Sequence, residues 1–357
     1  MNVLVCGGAG YIGSHTVREL VKAGHAVVVL DNLSRGHRKA VKNAILVEGD
    51  IADGSLVSDL VRSYGIDGCM HFAALSQVGE SVRRPDAYYF NNLVKSINLL
   101  DTLVGTGVKY FIFSSTAAVY GNPKELPLGE NHRTMPANPY GAAKLAFEEV
   151  LKWYSRAFGF KYINLRYFNA AGSDKNCDIG EDHTPETHLI PLVLQAASGK
   201  KTEISVFGTD YPTHDGTCIR DYIHVTDIAL AHLLALDYLY SGKPSDCFNL
   251  GNGCGYSVLE VVKIAEEITG RPIPLKLVNR RPGDPAVLIA SSEKAQKVLG
   301  WQPQHSNLKT ILETAWDWHR KHPDGFGDNI LDGYHVAISP KAFQVPGVPA
   351  AVQTQPK

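Results

Sequence analysis

The stretch NVLVCGGAGYIGSH (Asn2–His15), followed by AVVVLD (Ala26–Asp31), decides the fold of this chain. Val3 to Cys6 is a short apolar run of the kind that forms a buried parallel strand. Gly7, Gly10 and Gly13 then form G-x-x-G-x-x-G, and Ile12, Val17, Leu20 and Val21 begin a helix-period pattern. Glycine suits such a turn because it bends tightly and lets a phosphate approach the backbone closely. The helix starting near Tyr11 directs its unsatisfied N–H groups and positive dipole end at the same place. A second strand ends in Asp31, 18 residues after Gly13. An acid about 20 residues past the turn accepts hydrogen bonds from ribose hydroxyls. A glycine triplet alone is weak evidence, but strand, turn, helix, strand and acid in this order mark a dinucleotide-binding unit. Asp31 favours NAD, since a carboxylate repels the 2′-phosphate of NADP. Arg35 and Arg38 stand close enough in sequence to hold that phosphate, so NADP stays open at this point.

Outward from this unit the alternation continues. Ile45–Val47, Cys69–Phe72, Tyr110–Ser114 and Tyr162–Leu165 read as strands, and Leu93, Ile97 and Leu100 as one face of a helix. The expected fold class is α/β: a Rossmann-type doubly wound parallel sheet over residues 1–170. A segment near 221–242 is a candidate to return to it. After Asn169 the texture changes, with a polar, irregular stretch from Gly172 to Pro191. Ser257 and Glu260 form a capping-box spacing ahead of Val261, Val262, Ile264 and Ile268, with Gly270 past the end. Leu308 to Trp318 is a further apolar-periodic segment. Residues 171–328 thus read as a smaller C-terminal α/β substrate lobe, and 329–357 as a flexible tail rich in Pro, Val, Ala and Gln.

Of 357 residues, 44% are hydrophobic and 20% charged, and the net charge of -1 gives no field to gather nucleic acid or an anionic membrane. No basic segment precedes a long apolar run at Met1, and no run reaches the roughly 18 residues of a membrane span. The six cysteines include no C-x-x-C, which fits a reducing, cytoplasmic setting. His183 and His188 are five apart across Pro185, which fits no standard helical ligand pair, so no metal is expected.

Chemistry is signalled by Tyr140 and Lys144, four apart in NPYGAAK and hence on one helix face. A free phenol with a pKa near 10 is a poor base, but an adjacent ammonium and a positive nicotinamide ring favour its ionised form. Tyr120 and Lys124 share the spacing across Gly121, Asn122 and Pro123, a turn in which the side chains need not meet; surface decoration is the plainer reading there. At Tyr140 the difference lies in the preceding strand, which ends in the hydroxyls Ser114, Ser115 and Thr116. Strand C-termini are where such sheets bind ligands.

These motifs resemble the extended short-chain dehydrogenase/reductase family. GGAGYIGSH, LDNLS, HFAA, VGESV, the pair Asn91–Asn92, SSTAAVYG, NPYGAAK and RYFNAAG follow its general pattern. GEDHTPETHLIPL (180–192), the FGTDYPT…IRDYIHV segment (207–225) and RRPGDPA (280–286) are similar to the UDP-glucose 4-epimerases within it. The likeness covers residues 1 to about 325. It implies reversible 4-epimerisation of UDP-glucose and UDP-galactose through a 4-keto sugar, with NAD retained, and a homodimer formed through N-terminal helices that include Leu93 to Val104. Tyr140 would take the 4-hydroxyl proton, Thr116 would hydrogen-bond that hydroxyl, and Lys144 would lower the Tyr140 pKa. Around NAD the resemblance places Gly7, Gly10, Tyr11, Ile12, Gly13, Asp31, Asn32, Asp50, Ile51, Phe72, Ala73, Ala74, Asn91, Ser114, Tyr140, Lys144 and Tyr167. Around the UDP-sugar it places Thr116, Tyr140, Phe168, Asn169, His188, Leu189, Phe207, Arg220, Tyr222, Arg281, Asp284 and Leu288. Arginine suits this work, because its planar fork matches phosphate oxygens.

Three positions depart from the pattern. His188 stands where Asn is frequent, Ser76 where some relatives carry a lysine against the nicotinamide ribose, and Leu288 where a tyrosine closes the sugar pocket in strict glucose/galactose enzymes. The smaller Leu288 implies room for a 2-acetamido group, hence UDP-GlcNAc and UDP-GalNAc as a second substrate pair. Ala117 and Ala118 replace the acid that related dehydratases need. A UDP-hexuronate 4-epimerase remains an alternative, although no dedicated cation for its carboxylate is evident. From another class, a non-catalytic NAD-binding regulator would have no use for Tyr140, Lys144 and Thr116 together.

Overall fold

The computed structural model describes residues 1–281 and 283–327. The strands are β1 (Asn2–Cys6), β2 (Ala26–Asp31), β3 (Ile45–Glu48), β4 (Gly68–His71), β5 (Tyr110–Thr116), β6 (Lys161–Tyr167), β7 (Asn169–Ala171), β8 (Ile204–Phe207), β9 (Ile219–His224), β10 (Asp246–Leu250), β11 (Gly255–Ser257), β12 (Leu275–Val278) and β13 (Val287–Leu288). The helices are α1 (Tyr11–Lys22), α2 (Gly54–Tyr64), α3 (Val78–Arg83), α4 (Pro85–Tyr89), α5 (Lys95–Gly105), α6 (Pro139–Phe158), α7 (Leu189–Ala197), α8 (Val225–Tyr240), α9 (Val258–Thr269) and α10 (Leu308–Lys321).

Seven strands form one sheet in the order β10-β6-β5-β4-β1-β2-β3, every pairing parallel. Such a sheet must be covered on both faces. Alternation along β5 shows how: Ile112 packs with Val17 and Leu20 of α1 and Ile228 and Leu236 of α8. Phe111 and Phe113 pack with Leu60, Leu100 and Phe147 of α2, α5 and α6. The chain runs outward from β1 to β3, then returns and runs the other way from β4. That reversal opens a crevice beyond the C-terminal ends of β1 and β4.

Gly7 closes the crevice floor with φ +78 and donates its N–H to Leu30 O at 2.9 Å. A Cβ there would stand 2.4 Å from Ala73 N, so the ends of β1 and β4 can approach only because position 7 has no side chain.

Residue 170 does not divide the sheet cleanly, since α8 covers one face and β10 forms an edge. The remaining strands build a small sheet, β11-β9-β13 with β7 also on β9, and a separate β8–β12 pair. Helices α7, α9 and α10 enclose a third core containing Leu194, Val261, Ile311 and Trp316. The expected capping box is present: Ser257 Oγ accepts from Glu260 N, Glu260 accepts from Ser257 N, and Gly270 caps the other end at φ +66. The expected tail, 329–357, lies outside the described residues. No described helix is long and apolar enough to cross a membrane, and all six cysteines are free thiols.

Candidate active site

A single cleft of about 730 Å³ runs from the crevice at β1 and β4 to the small lobe, a size suited to small-molecule ligands. Every site residue expected from the sequence lines it, at one end or the other. Gly7, Gly10, Tyr11, Ile12, Gly13, Asp31, Asn32, Asp50, Ile51, Phe72, Ala73, Ala74 and Asn91 lie at the sheet end. Phe168, Asn169, His188, Leu189, Phe207, Arg220, Tyr222, Arg281, Asp284 and Leu288 lie at the lobe end. Ser114, Thr116, Tyr140, Lys144 and Tyr167 stand between them.

The sheet end fits a dinucleotide for reasons visible in the chain. Helix α1 begins after Gly10 with no side-chain cap and no acid in its first turn, so its N–H groups face the cleft uncontested. A Cβ at Gly10 would meet only Gly7 O at 3.5 Å, an ordinary contact. The protein alone would tolerate a side chain there, whereas a phosphate resting on that backbone would not. Asp31 accepts from Ala9 N and Leu33 N, both at 2.9 Å. Burial raises its pKa and these two bonds oppose that rise. Each oxygen retains a lone pair for a ribose hydroxyl. Arg35 donates to Thr184 O at 2.7 Å, and Arg38 is paired with Glu48. Both arginines left open by the sequence are therefore occupied within the chain, which favours NAD over NADP.

Local sequence explains the middle of the cleft. Asn138 caps α6 by accepting from Gly141 N at 2.9 Å, and Pro139 fills the first helical position. A Cβ on Gly141 would come 2.5 Å from Ala118 O, so α6 seats directly on the turn that follows β5. That contact sets Tyr140 beside Thr116. Burial pushes the Tyr140 pKa up, and a hydrogen bond with Thr116 pulls it back. One turn on, Lys144 Nζ donates to Ser114 O at 2.8 Å and lies 4.7 Å above the Phe113 ring. Burial lowers its pKa to about 7, against the opposing charge of Glu148. No hydrogen bond joins Tyr140 and Lys144 among the described residues, and Lys144 donates instead to Ser114 O.

Two sequence expectations need correction here. Ser115 does not join Ser114 and Thr116 at the cleft, because alternation turns it to the other face, where it donates to Glu148 Oε1 at 2.5 Å. Tyr120 is not surface decoration: it is 2% exposed, donates to Asn249 at 2.7 Å and receives a bond from Arg166 at 3.0 Å. Lys124 is exposed, and the two do not meet. Arg166 also forks onto Glu148 at 2.9 and 2.5 Å. Glu148 and Arg166 escaped the sequence reading. The available signal was spacing, for Tyr140, Lys144 and Glu148 recur every four residues along one helix face.

At the lobe end Arg281 forks onto Asp284 at 2.9 and 3.1 Å, with its guanidinium 5.5 Å above the Phe207 ring. Arg220 Nη2 lies 4.0 Å from the same carboxylate. Asn169 Nδ2 donates to Asp221 O at 2.9 Å. Leu288 pairs with Arg220 across β13 and β9 and packs in the cluster that holds Phe168. Ser76 also lines the cleft. His188 precedes α7, and its ring nitrogen pairs with Glu181.

Residues 3–251 match the model of the NAD dependent epimerase/dehydratase family. The chain belongs to this family. Over 332 residues it is 52% identical to a UDP-glucose 4-epimerase of Halalkalibacterium halodurans, covering 93% of this chain and 99% of that one. A crystal structure of UDP-glucose 4-epimerase from Bifidobacterium longum in complex with NAD+ and UDP is 40% identical, with a TM-score of 0.88 over 91% of this chain and 100% of that one. A UDP-Glc/GlcNAc 4-epimerase from Campylobacter jejuni is 43% identical, with a TM-score of 0.78 over 90% of this chain and 99% of that one. Among these epimerase relatives the likeness spans both ends of the cleft, not the dinucleotide unit alone.

The depressed Lys144 pKa has a consequence for stability. Folded, Lys144 sheds its proton near pH 7; unfolded, it holds the proton to about pH 10.5. Between those values the unfolded state binds the extra proton, so this lysine's contribution to stability rises with pH across the window and is lowest below pH 7. In Lys144→Met the difference in melting temperature, variant minus wild type, is expected to be most positive below about pH 7 and to fall steadily towards pH 10. Thermal melts at a series of pH values check this, and a difference that is flat or grows with pH contradicts it.

Proposed function

We propose that this chain interconverts UDP-glucose and UDP-galactose by inverting C4, with NAD kept in the cleft between turnovers. The observation that carries this reading is the position of Tyr140, Thr116 and Lys144 where the dinucleotide end and the lobe end of one cleft meet. The NAD site would be formed by the Gly7–Gly13 turn, the α1 N-terminus and Asp31, with the other sheet-end residues as its walls. Held there, NAD would supply the reversible oxidation at C4, taking up a hydride and giving it back. Tyr140 Oη removes the 4-hydroxyl proton as the 4-keto sugar forms and gives it back on reduction. Thr116 Oγ1 holds the same oxygen in line. The Lys144 ammonium favours the Tyr140 phenolate, offsetting the burial that otherwise disfavours it.

The lobe end grips the nucleotide. Arg220 and Arg281 would take the diphosphate, releasing Asp284 to the ribose, while Asn169, Leu189, Phe207 and Tyr222 frame the remainder. The hexose is held only by the residues around Thr116, His188, Phe168 and Leu288, which leaves the keto sugar free to turn and present its other face. The side chain of Leu288 supports a second pair of substrates carrying a 2-acetamido group. Free thiols at all six cysteines support a cytoplasmic setting. Exposed Phe90, Val94, Trp153 and Phe158 along α4–α6 support a homodimer packed through these helices.

Purified protein given UDP-galactose without added NAD is expected to form UDP-glucose with no net NADH, and to act on UDP-N-acetylglucosamine too. Tyr140→Phe is expected to lower kcat by about 10²-fold or more while the purified variant still carries NAD. Turnover surviving in that variant would overturn the mechanism. A requirement for stoichiometric NAD would overturn the retained-cofactor reading, and absence of N-acetyl sugar turnover would remove the second substrate pair. Sedimentation of Trp153→Glu as a monomer against a dimeric wild type tests the interface, which fails if the masses agree.

A further inference from the structure

The loop before α7 carries four clustered side chains, of which only His188 has been given a place at the sugar end of the cleft: Glu181, His183, Glu186 and His188. One ligating atom from each lies within 4.8 Å of the others. His183 Nδ1 stands 3.3 Å from Glu181 Oε1 and 3.6 Å from Glu186 Oε2, and His188 Nδ1 stands 3.9 Å from Glu186 Oε1 and is paired with Glu181. A tetrahedral zinc with N and O ligands at about 2.0–2.2 Å separates its ligand atoms by roughly 3.3–3.6 Å. The two His183 contacts fall in this range, the 3.9 Å contact of His188 reaches the other oxygen of Glu186, and the His188–Glu181 pair is a hydrogen bond that an entering ion would open.

The two carboxylates are nearly buried, their side chains 4% and 5% exposed, and together they match the charge of a divalent cation. Their positions are fixed by Trp318 and by backbone N–H groups of the loop itself. Trp318 Nε1 donates to Glu181 O at 3.2 Å, and Glu186 Oε1 accepts from Thr187 N and His188 N at 2.7 and 2.8 Å. Behind the cluster lies a small cavity of about 50 Å³ lined by Glu181, His183, Glu186 and His319, enough for an ion's path or a water. On its other side Glu181, His183 and His188 face the main cleft. The five-residue spacing that argued against a metal presumes a helix, and residues 181–188 are irregular.

We propose that Glu181, His183, Glu186 and His188 bind one divalent first-row transition ion, zinc by ligand chemistry, which fastens this loop to α7 at the cleft wall. The mixed imidazole and carboxylate set suits zinc and excludes magnesium, which needs an octahedron of oxygens. The proposal shares His188 with the sugar end of the cleft but rests on the geometry of the cluster, not on the reaction assigned to the cleft.

The test uses full-length protein without a histidine tag, stripped with a chelator and then given zinc chloride or magnesium chloride alone. Elemental analysis after gel filtration is expected to find about one zinc per chain, and the melting temperature to rise with zinc but not with magnesium. His183→Gln and Glu186→Gln are each expected to weaken zinc binding by about tenfold or more. X-ray absorption of the zinc-loaded wild type, which does not depend on any variant folding, is expected to show only N and O neighbours. Absence of stoichiometric zinc, equal retention by both variants, or a sulfur neighbour from a cysteine would each overturn the proposal.

Discussion

A single buried ammonium constrains the centre of this molecule. Lys144 is 2% exposed, with one carbonyl, Ser114 O, as its hydrogen-bond acceptor and the Phe113 ring beneath it. Such a charge is costly without compensation. Compensation comes from Glu148 one turn along α6, and Glu148 is in turn held by Ser115 and Arg166 from β5 and β6. Arg166 leans on Tyr120 and, through it, on Asn249 of β10. This network ties α6 to β5, β6 and β10.

The two ends of the cleft are made differently. Backbone builds the dinucleotide end: the turn at Gly7, the N–H groups of α1 and the strand end at Asp31. Side chains build the lobe end, including arginines already paired with Asp284. A backbone cradle holds a ligand rigidly, and arginines that exchange one anion for another admit and release it. This difference suits a resident cofactor beside an exchanging sugar nucleotide.

Much of this was legible in the sequence, because the deciding features are local. The Gly7–Gly13 turn, the acid at Asp31, the Tyr140–Lys144 pair and the Ser257–Glu260 cap each lie within a single strand–turn–helix unit. What escaped depends on contacts between distant residues. Asp221 illustrates the limit: it accepts from Asn252, Gly253 and Ala290 N–H groups, and burial pushes its pKa up to about 6. Nothing adjacent to it in sequence indicates that role. Ser115 faces away from the cleft by strand alternation, a local rule, whereas the place of Tyr120 is set by Arg166 and Asn249, far along the chain. The helical spacing rule does not bear on residues 181–188, whose backbone is irregular.

The central claim is that one tyrosine and one resident cofactor serve both faces of the same sugar. Its most direct test follows the hydrogen at C4. UDP-galactose carrying deuterium at that carbon, incubated with the purified protein and no added NAD, should yield UDP-glucose with the deuterium still at C4. Loss of the label to water, or its recovery in free NADH, would contradict the account.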